Sequence, residues 1–104
     1  MAVSEQDSVV PEGVARLKEA INADSRLLVL RQLLRQPQTF NQLVAAVDAS
    51  PAGCRQALDA LERAGYIVPD APGAGTRKRP NTVFSGVREA VAADLGELVR
   101  FLAS

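Results

Sequence analysis

Apolar residues recur every three or four positions along much of this chain, a spacing that places them on one face of a helix. Pro11 suits a first helical turn, and the apolar residues after it predict a helix over 11–22. They are Val14, Leu17 and Ile21. The same spacing near the end of the chain predicts a helix over 88–103. Its apolar residues are Val91, Leu95, Leu98, Val99 and Leu102.

A dense apolar run over 27–34 predicts a helix between these two. Its apolar residues are too numerous for one stripe, so we expect it to be central and largely buried. Asp24 or Ser25 can cap its start, and Pro37 ends it because proline disfavours helical geometry in the residue before it. Residues 1–10 show no period, and we predict a flexible tail there.

Residues 41–65 have the pattern of two short helices joined by a tight turn. A very short strand at 38–40 precedes the first helix, for which Thr39 or Asn41 is a suitable cap. The second helix starts with the favoured pair Ser50 and Pro51. It ends at Gly65, because glycine readily adopts the left-handed conformation of a helix C-cap.

A β-hairpin is predicted over 66–85. Its strands are Tyr66–Pro69 and Thr82–Ser85, and the long connection between them is rich in glycine and proline. Two short helices at a tight turn, followed by a hairpin, are the layout of a winged helix-turn-helix. We therefore predict one mainly α (α+β) domain over 11–104, with about five helices and a wing of two to three strands.

Charge is unevenly distributed although the net charge is zero. Residues 25–58 contain four arginines and one aspartate, and residues 71–87 contain three cations and no acid. The remaining stretches are acidic. A basic face can therefore coexist with a neutral total, and such a face favours nucleic acid as a partner.

Histidine is absent and cysteine occurs once, as Cys54. These counts exclude an intrachain disulfide, a His/Cys zinc site within one chain, and histidine-based catalysis. No glycine-rich phosphate loop follows a strand. We predict no enzyme, no cofactor and no metal. No apolar run nears the roughly 20 residues of a membrane span, and no signal peptide is evident, so we expect a cytoplasmic protein.

The second helix of a helix-turn-helix usually enters the DNA major groove. Small residues at its start allow close approach, Arg55 can donate two hydrogen bonds to guanine, and Gln56 can pair with adenine. The predicted groove contacts are Asn41, Ser50, Ala52, Gly53, Arg55 and Gln56. Arg77, Lys78 and Arg79 at the hairpin tip are predicted to contact phosphates or the minor groove. The alternatives are a solvated helix face and a solubilising tip.

Residues 24–68 resemble the winged-helix repressors of the ArsR type, and less closely those of the MarR type. Residues 24–34 are similar to the family's "D-x-T-R-L" helix, and residues 50–68 to its "S-x-x-T-V-S-x-H-L" helix with the following "A-G-L-V". The resemblance implies a transcriptional regulator, a repressor, that binds double-stranded DNA.

Several positions depart from the ArsR pattern. Ala57 replaces the usual histidine, and Arg55 replaces a hydroxyl residue. Val44, Ala45 and Ala46 occupy the approximate place of the "C-V-C" cluster of metal-sensing relatives, so metal sensing is not expected. The hairpin is longer than an ArsR wing and closer in length to a MarR wing.

The amphipathic helices at 11–22 and 88–103 can pack on their own domain or form a seam between two copies. We predict a homodimer built on these two helices, because the five apolar positions of the second exceed what one shallow groove needs. Paired half-sites one helical turn apart would follow from the twofold axis. A second possible function is a protein–protein adaptor in a DNA-processing or phage regulatory assembly, which zero net charge and an acidic first segment would suit.

Overall fold

A computed structural model of the chain describes residues 9–70 and 81–104. These residues form five helices and one small antiparallel sheet. In chain order the elements are α1 (Glu12–Ala20), α2 (Asp24–Arg35), β1 (Gln38–Thr39), α3 (Phe40–Ala46), α4 (Pro51–Arg63), β2 (Ile67–Pro69), β3 (Val83–Gly86) and α5 (Arg88–Ala103). This is the mainly helical, winged helix-turn-helix architecture that the sequence predicts.

Local capping groups determine where α3 and α4 begin. The Thr39 hydroxyl accepts a hydrogen bond from the Gln42 backbone N–H (3.2 Å), and the Gln42 side chain accepts one from the Thr39 N–H (2.8 Å). This reciprocal pair is a capping box. The Ser50 hydroxyl likewise accepts a hydrogen bond from the Gly53 N–H (3.0 Å). Beyond α4, Gly65 has a φ of 79°, the left-handed conformation predicted for it.

Two local expectations were wrong. Phe40 is the first residue of α3 and does not extend the strand, because the Thr39 capping box starts the helix there. The N-cap of α2 is Ala23, which has no side-chain hydrogen bond, so neither Asp24 nor Ser25 fills that role.

The core lies between two packed helix pairs, α1 with α5 and α2 with α4. Its fully buried large side chains include Val29, Leu43, Leu61, Tyr66 and Ile67. The burial of α2 is narrower than predicted. One stripe (Val29, Leu30 and Leu33) is buried, whereas Leu27 and Leu28 are exposed. Among the described residues, α2 packs mainly against α4 and β3, and the buried stripe accounts for this narrower burial.

The sheet has the strand order β1-β3-β2, so β3 is central and pairs antiparallel with both neighbours. Thr39 lies opposite Val83, and Pro69 lies opposite Phe84. The hairpin is therefore joined through β1 to the residue that caps α3.

Asp70 forms two hydrogen bonds with the opposite strand at the end of the strand pair that leads into the hairpin tip. Its backbone N–H donates to the Val83 carbonyl oxygen (2.8 Å), and its carboxylate accepts from the Val83 N–H (3.1 Å). The tip that carries the predicted phosphate contacts Arg77, Lys78 and Arg79 lies outside the described residues. Residues 1–8 of the tail predicted for 1–10 also lie outside the described residues.

No helix in the described part of the chain is both long enough and apolar enough to cross a bilayer.

Candidate nucleic-acid interface

Helix α4 exposes one face and buries the other. The inward face consists of Cys54, Ala57, Leu58, Ala60 and Leu61, all of them buried. Of the predicted groove contacts on or beside this helix, Ser50, Ala52, Arg55 and Gln56 are exposed, and Gly53 is half-buried. Because the core holds the inward face, the outward residues form an accessible surface on a fixed helix.

The start of α3 adjoins this surface. Asn41 is exposed, and Phe40 just before it is half-buried. The guanidinium carbon of Arg55 lies over the Phe40 ring, 4.6 Å from its centroid. The structure therefore brings Arg55 against the first turn of α3, where Asn41 also lies.

Gly53 has a structural role that the sequence did not reveal. A Cβ at this position would lie 3.2 Å from the Ser50 hydroxyl oxygen, which is the group that caps α4. A larger residue at this position would therefore require the Ser50 hydroxyl to shift by a few tenths of an ångström.

The Arg55 guanidinium is available to a ligand. Within residues 9–70 and 81–104, no hydrogen bond or ion pair involves it, including with Asp59 one turn further along α4. Asp59 is itself exposed. The structure thus shows an outward-facing arginine whose five N–H donors are not used by neighbouring described side chains.

The residues predicted for a dimer seam divide into two groups. Val14, Leu17 and Val91 are buried within the chain, while Ile21 and Leu98 are half-buried against the same core. Packing of α1 on α5 thus accounts for these five. Leu95, Val99 and Leu102 are 45%, 64% and 72% exposed, and they leave an apolar surface along α5. We call these three residues the α5 apolar strip.

A buried polar cluster that the sequence pattern did not predict connects α1, α5 and the residue after the helix-turn-helix. The Asp94 carboxylate accepts two hydrogen bonds from the Arg16 guanidinium (both 2.8 Å) and one from the Tyr66 hydroxyl (2.6 Å). Asp94 is 3% exposed and Tyr66 is fully buried. The signal in the sequence is an acid among the apolar positions of α5, three residues after Val91.

Protonation in this cluster follows from its contacts. The hydrogen bonds from Arg16 lower the pKa of Asp94. Burial raises this pKa, whereas the hydrogen bond from Tyr66 lowers it further, and the net shift is downward. Burial raises the pKa of Tyr66, and its bond to the Asp94 carboxylate raises it further. The bonds to Asp94 raise the pKa of Arg16. The cluster is therefore a charged pair plus a neutral phenol at neutral pH.

Cys54 lies on the inward face of α4 and is fully buried. Burial raises the pKa of its thiol, which disfavours the reactive thiolate. In the described residues no group of three or more His, Cys, Asp or Glu side chains is arranged to hold a metal ion.

The middle of the chain matches a known protein family. Residues 24–68, which span α2 through β2 and include the helix-turn-helix, match the family described as bacterial regulatory protein, arsR family. The matched segment is the one on which the sequence resemblance rests. No curated protein matches the chain.

Several solved structures share the fold. An ArsR-like transcriptional regulator from a Rhodococcus species superposes with a TM-score of 0.71 at 19% identity, covering 88% of this chain and 80% of that one. NolR from Sinorhizobium fredii gives 0.66 at 22% identity, with 96% and 94% covered. Reduced HlyU from Vibrio cholerae gives 0.57 at 25% identity, with 80% and 82% covered. The chain therefore has the winged helix-turn-helix fold of these proteins and resembles the ArsR family of regulators.

Proposed function

We propose that this ArsR-like protein is a sequence-specific DNA-binding transcriptional regulator, a repressor, that acts as a homodimer in the cytoplasm. One observation carries the proposal. The helix that corresponds to the recognition helix of this fold has a buried inner face and an exposed outer face that includes Ser50, Ala52, Arg55 and Gln56. An α4 placed in a major groove would present Arg55 to base edges.

The experiment that tests this proposal compares two arginines on the same helix. Arg55 lies near the start of α4, whereas Arg63 is exposed at its end, in a shallow cleft beside α1. DNA fragments bound by the wild-type protein are selected from genomic DNA. Affinities of Arg55→Ala and Arg63→Ala are then measured for a selected duplex and for a scrambled duplex.

We expect Arg55→Ala to lose about 1–3 kcal/mol of preference for the selected duplex, the value of one good bidentate base contact. Arg63→Ala makes the same change in net charge and should retain that preference. Equal effects of the two variants would contradict groove reading by α4. If the wild type selects no fragment, the adaptor function becomes the better account, and a protein partner is then sought.

We also propose that the regulator does not respond to metal ions. Val44 and Ala46 lie on α3, and neither side chain, nor that of Ala45, can ligate a metal. DNA affinity should be the same in the presence of zinc or a chelator. A zinc-dependent change of tenfold or more would contradict this part of the proposal.

The α5 apolar strip is the surface that we propose for the homodimer. It lies on the helix that packs against α1, and its three side chains lack cover from described residues of the same chain. Two copies related by a twofold axis would cover both strips and present two copies of α4 to one DNA duplex.

A further inference from the structure

The contact between Phe40 and Arg55 joins the two helices of the helix-turn-helix on their exposed side. The Arg55 guanidinium carbon lies 4.6 Å from the centre of the Phe40 ring, within the roughly 6 Å over which a cation is attracted to an aromatic face. Phe40 is half-buried and Arg55 is exposed. The arginine therefore lies over a ring that the rest of the chain covers only in part.

The Phe40 ring is a fixed support. Just before it, Thr39 pairs with Val83 in the sheet and forms the capping box with Gln42, so the backbone is held from two directions. The ring also packs against the hydrophobic core. A side chain anchored in this way cannot easily follow a moving guanidinium, so the contact restricts Arg55 rather than Phe40.

This restriction bears on recognition. The N–H donors of a guanidinium lie in its own plane, and the described residues leave those of Arg55 without a partner. An arginine that is already held loses less side-chain entropy when it binds. Phe40 thus supports Arg55 without taking up its hydrogen-bonding capacity.

We propose that Phe40 is a positioning residue that orients Arg55 to read a guanine in the DNA major groove. This inference rests on the proposed function. Guanine is the expected base because its O6 and N7 atoms accept the paired donors of one arginine. Phe40 would act only through Arg55, and its effect would be on discrimination between bases.

The test is a double-mutant cycle on a selected duplex and on the same duplex with each guanine in turn replaced by adenine. Phe40→Leu keeps an apolar side chain but removes the aromatic face, and Phe40→Tyr keeps that face. We expect Phe40→Leu to reduce the preference for guanine at one position by about two- to fivefold. Phe40→Tyr should stay close to the wild type. In an Arg55→Ala background, Phe40→Leu should have no further effect on that preference.

A structural role for Phe40 would give a different pattern. If Phe40→Leu weakened the Arg55→Ala protein as much as the wild type, or if both Phe40 variants lost the same preference, the inference would be overturned. Thermal melting of each variant identifies any loss that arises from misfolding, and the comparison of Tyr with Leu still holds if both are equally destabilised.

An NMR measurement without DNA separates this inference from the proposed function. A ring above the guanidinium shifts the Arg55 Hδ resonances upfield in the wild type, and Phe40→Leu should abolish that shift. Absence of the shift in the wild type overturns the inference alone. If the shift is present but the wild type selects no DNA, the proposed function fails, and the reading of guanine fails with it.

Discussion

The Asp94 side chain links α5 to α1 and to the residue that precedes β2. Its carboxylate accepts hydrogen bonds from Arg16 on α1 and from Tyr66, the residue that follows the left-handed Gly65. A buried carboxylate is costly unless its oxygens are hydrogen-bonded, and here both are. The cluster therefore fixes the end of the helix-turn-helix relative to α1 and α5.

The pH dependence of stability should reveal this cluster. The pKa of Asp94 is lowered in the folded state relative to an unfolded value of about 4. The charged form of Asp94 therefore stabilises the fold above about pH 4, and this contribution is lost as the pH falls through the folded pKa. Chemical denaturation as a function of pH, for the wild type and Asp94→Asn, measures the effect.

We expect Asp94→Asn to be less stable near neutral pH and to lose less stability than the wild type on acidification below about pH 5. Asp59→Asn is the matched control, since Asp59 is exposed on α4 and its removal leaves the cluster intact. Parallel curves for Asp94→Asn and the wild type would show that the cluster contributes nothing that depends on charge.

Tyr66 offers a second test of the cluster, which is made at a single neutral pH. Tyr66→Phe removes the hydroxyl that donates to Asp94 at 2.6 Å and keeps the buried ring. Hydrogen bonds to charged groups contribute about 1.5–3 kcal/mol, and we expect a loss of unfolding free energy in this range from urea denaturation. A change below about 0.5 kcal/mol would mean that the hydrogen bond from Tyr66 to Asp94 contributes little to stability.

At the scale of elements, two glycines with different surroundings test how the helices and the sheet pack. Gly86 ends β3, and a Cβ there would lie 2.9 Å from the Leu33 carbonyl oxygen of α2. Gly96 lies within α5, where a Cβ would meet only the end of the Arg100 side chain, at 3.4 Å. The close approach of β3 to α2 thus requires glycine at position 86, whereas no such contact requires glycine at position 96.

We expect Gly86→Ala to lower the free energy of unfolding by about 1–3 kcal/mol, because the Leu33 backbone cannot move aside cheaply. Gly96→Ala should raise it by about 0.5–1 kcal/mol, since alanine is the better helix former. Urea denaturation of both variants provides the comparison. Stabilisation of both variants would mean that β3 and α2 have more space between them than the structure shows.

The wing residues that are predicted to contact DNA lie outside the described residues. If Arg77, Lys78 and Arg79 bind phosphates, replacing all three by glutamine should weaken binding to specific and scrambled duplexes about equally. The slope of log affinity against log salt should become less steep by about one for each phosphate that the protein no longer neutralises. Fluorescence anisotropy over a salt series measures both quantities. An unchanged slope would assign the triplet a solubilising role.

Most element boundaries could be predicted because their signals are local. Ser50 and Pro51 identify the start of α4, and Gly65 identifies its end, without reference to the rest of the chain. The contacts of Phe40 and Asp94 could not be predicted in this way. Each joins residues in different elements, and only the packed helices bring Phe40 to Arg55 or Asp94 to Arg16.

The same limit applies to surfaces. Hydrophobic spacing correctly indicated that α1 and α5 have apolar faces, but it could not divide those faces between the core and a second surface. The structure makes that division, burying Val14 and Val91 and leaving Val99 exposed. The exposure of these residues therefore depends on how the two helices pack as well as on the periodicity of each helix.

At the scale of the whole molecule, the α5 apolar strip makes assembly testable. Val99→Asp places a charge at a position that is 64% exposed, so the fold of one chain should tolerate it. Burial of that charge in a dimer seam would be costly. We expect sedimentation equilibrium to give twice the 11.0 kDa chain mass for the wild type and the single mass for Val99→Asp.

Ala93→Asp is the control for this prediction, because Ala93 is exposed on a different side of α5 from the strip. It should remain a dimer. A single-chain mass for the wild type, or dissociation by both variants, would contradict a seam built on Leu95, Val99 and Leu102.

The two hydrogen bonds between Asp70 and Val83 have a consequence for engineering the hairpin. These bonds lie at the loop end of the strand pair, next to the pairing of Pro69 with Phe84. A peptide or an affinity tag inserted between Asp70 and Val83 would join the protein at two residues that are already hydrogen-bonded to each other. The scaffold is therefore suited to loop grafting at this position, with the helical body acting as an unaltered carrier.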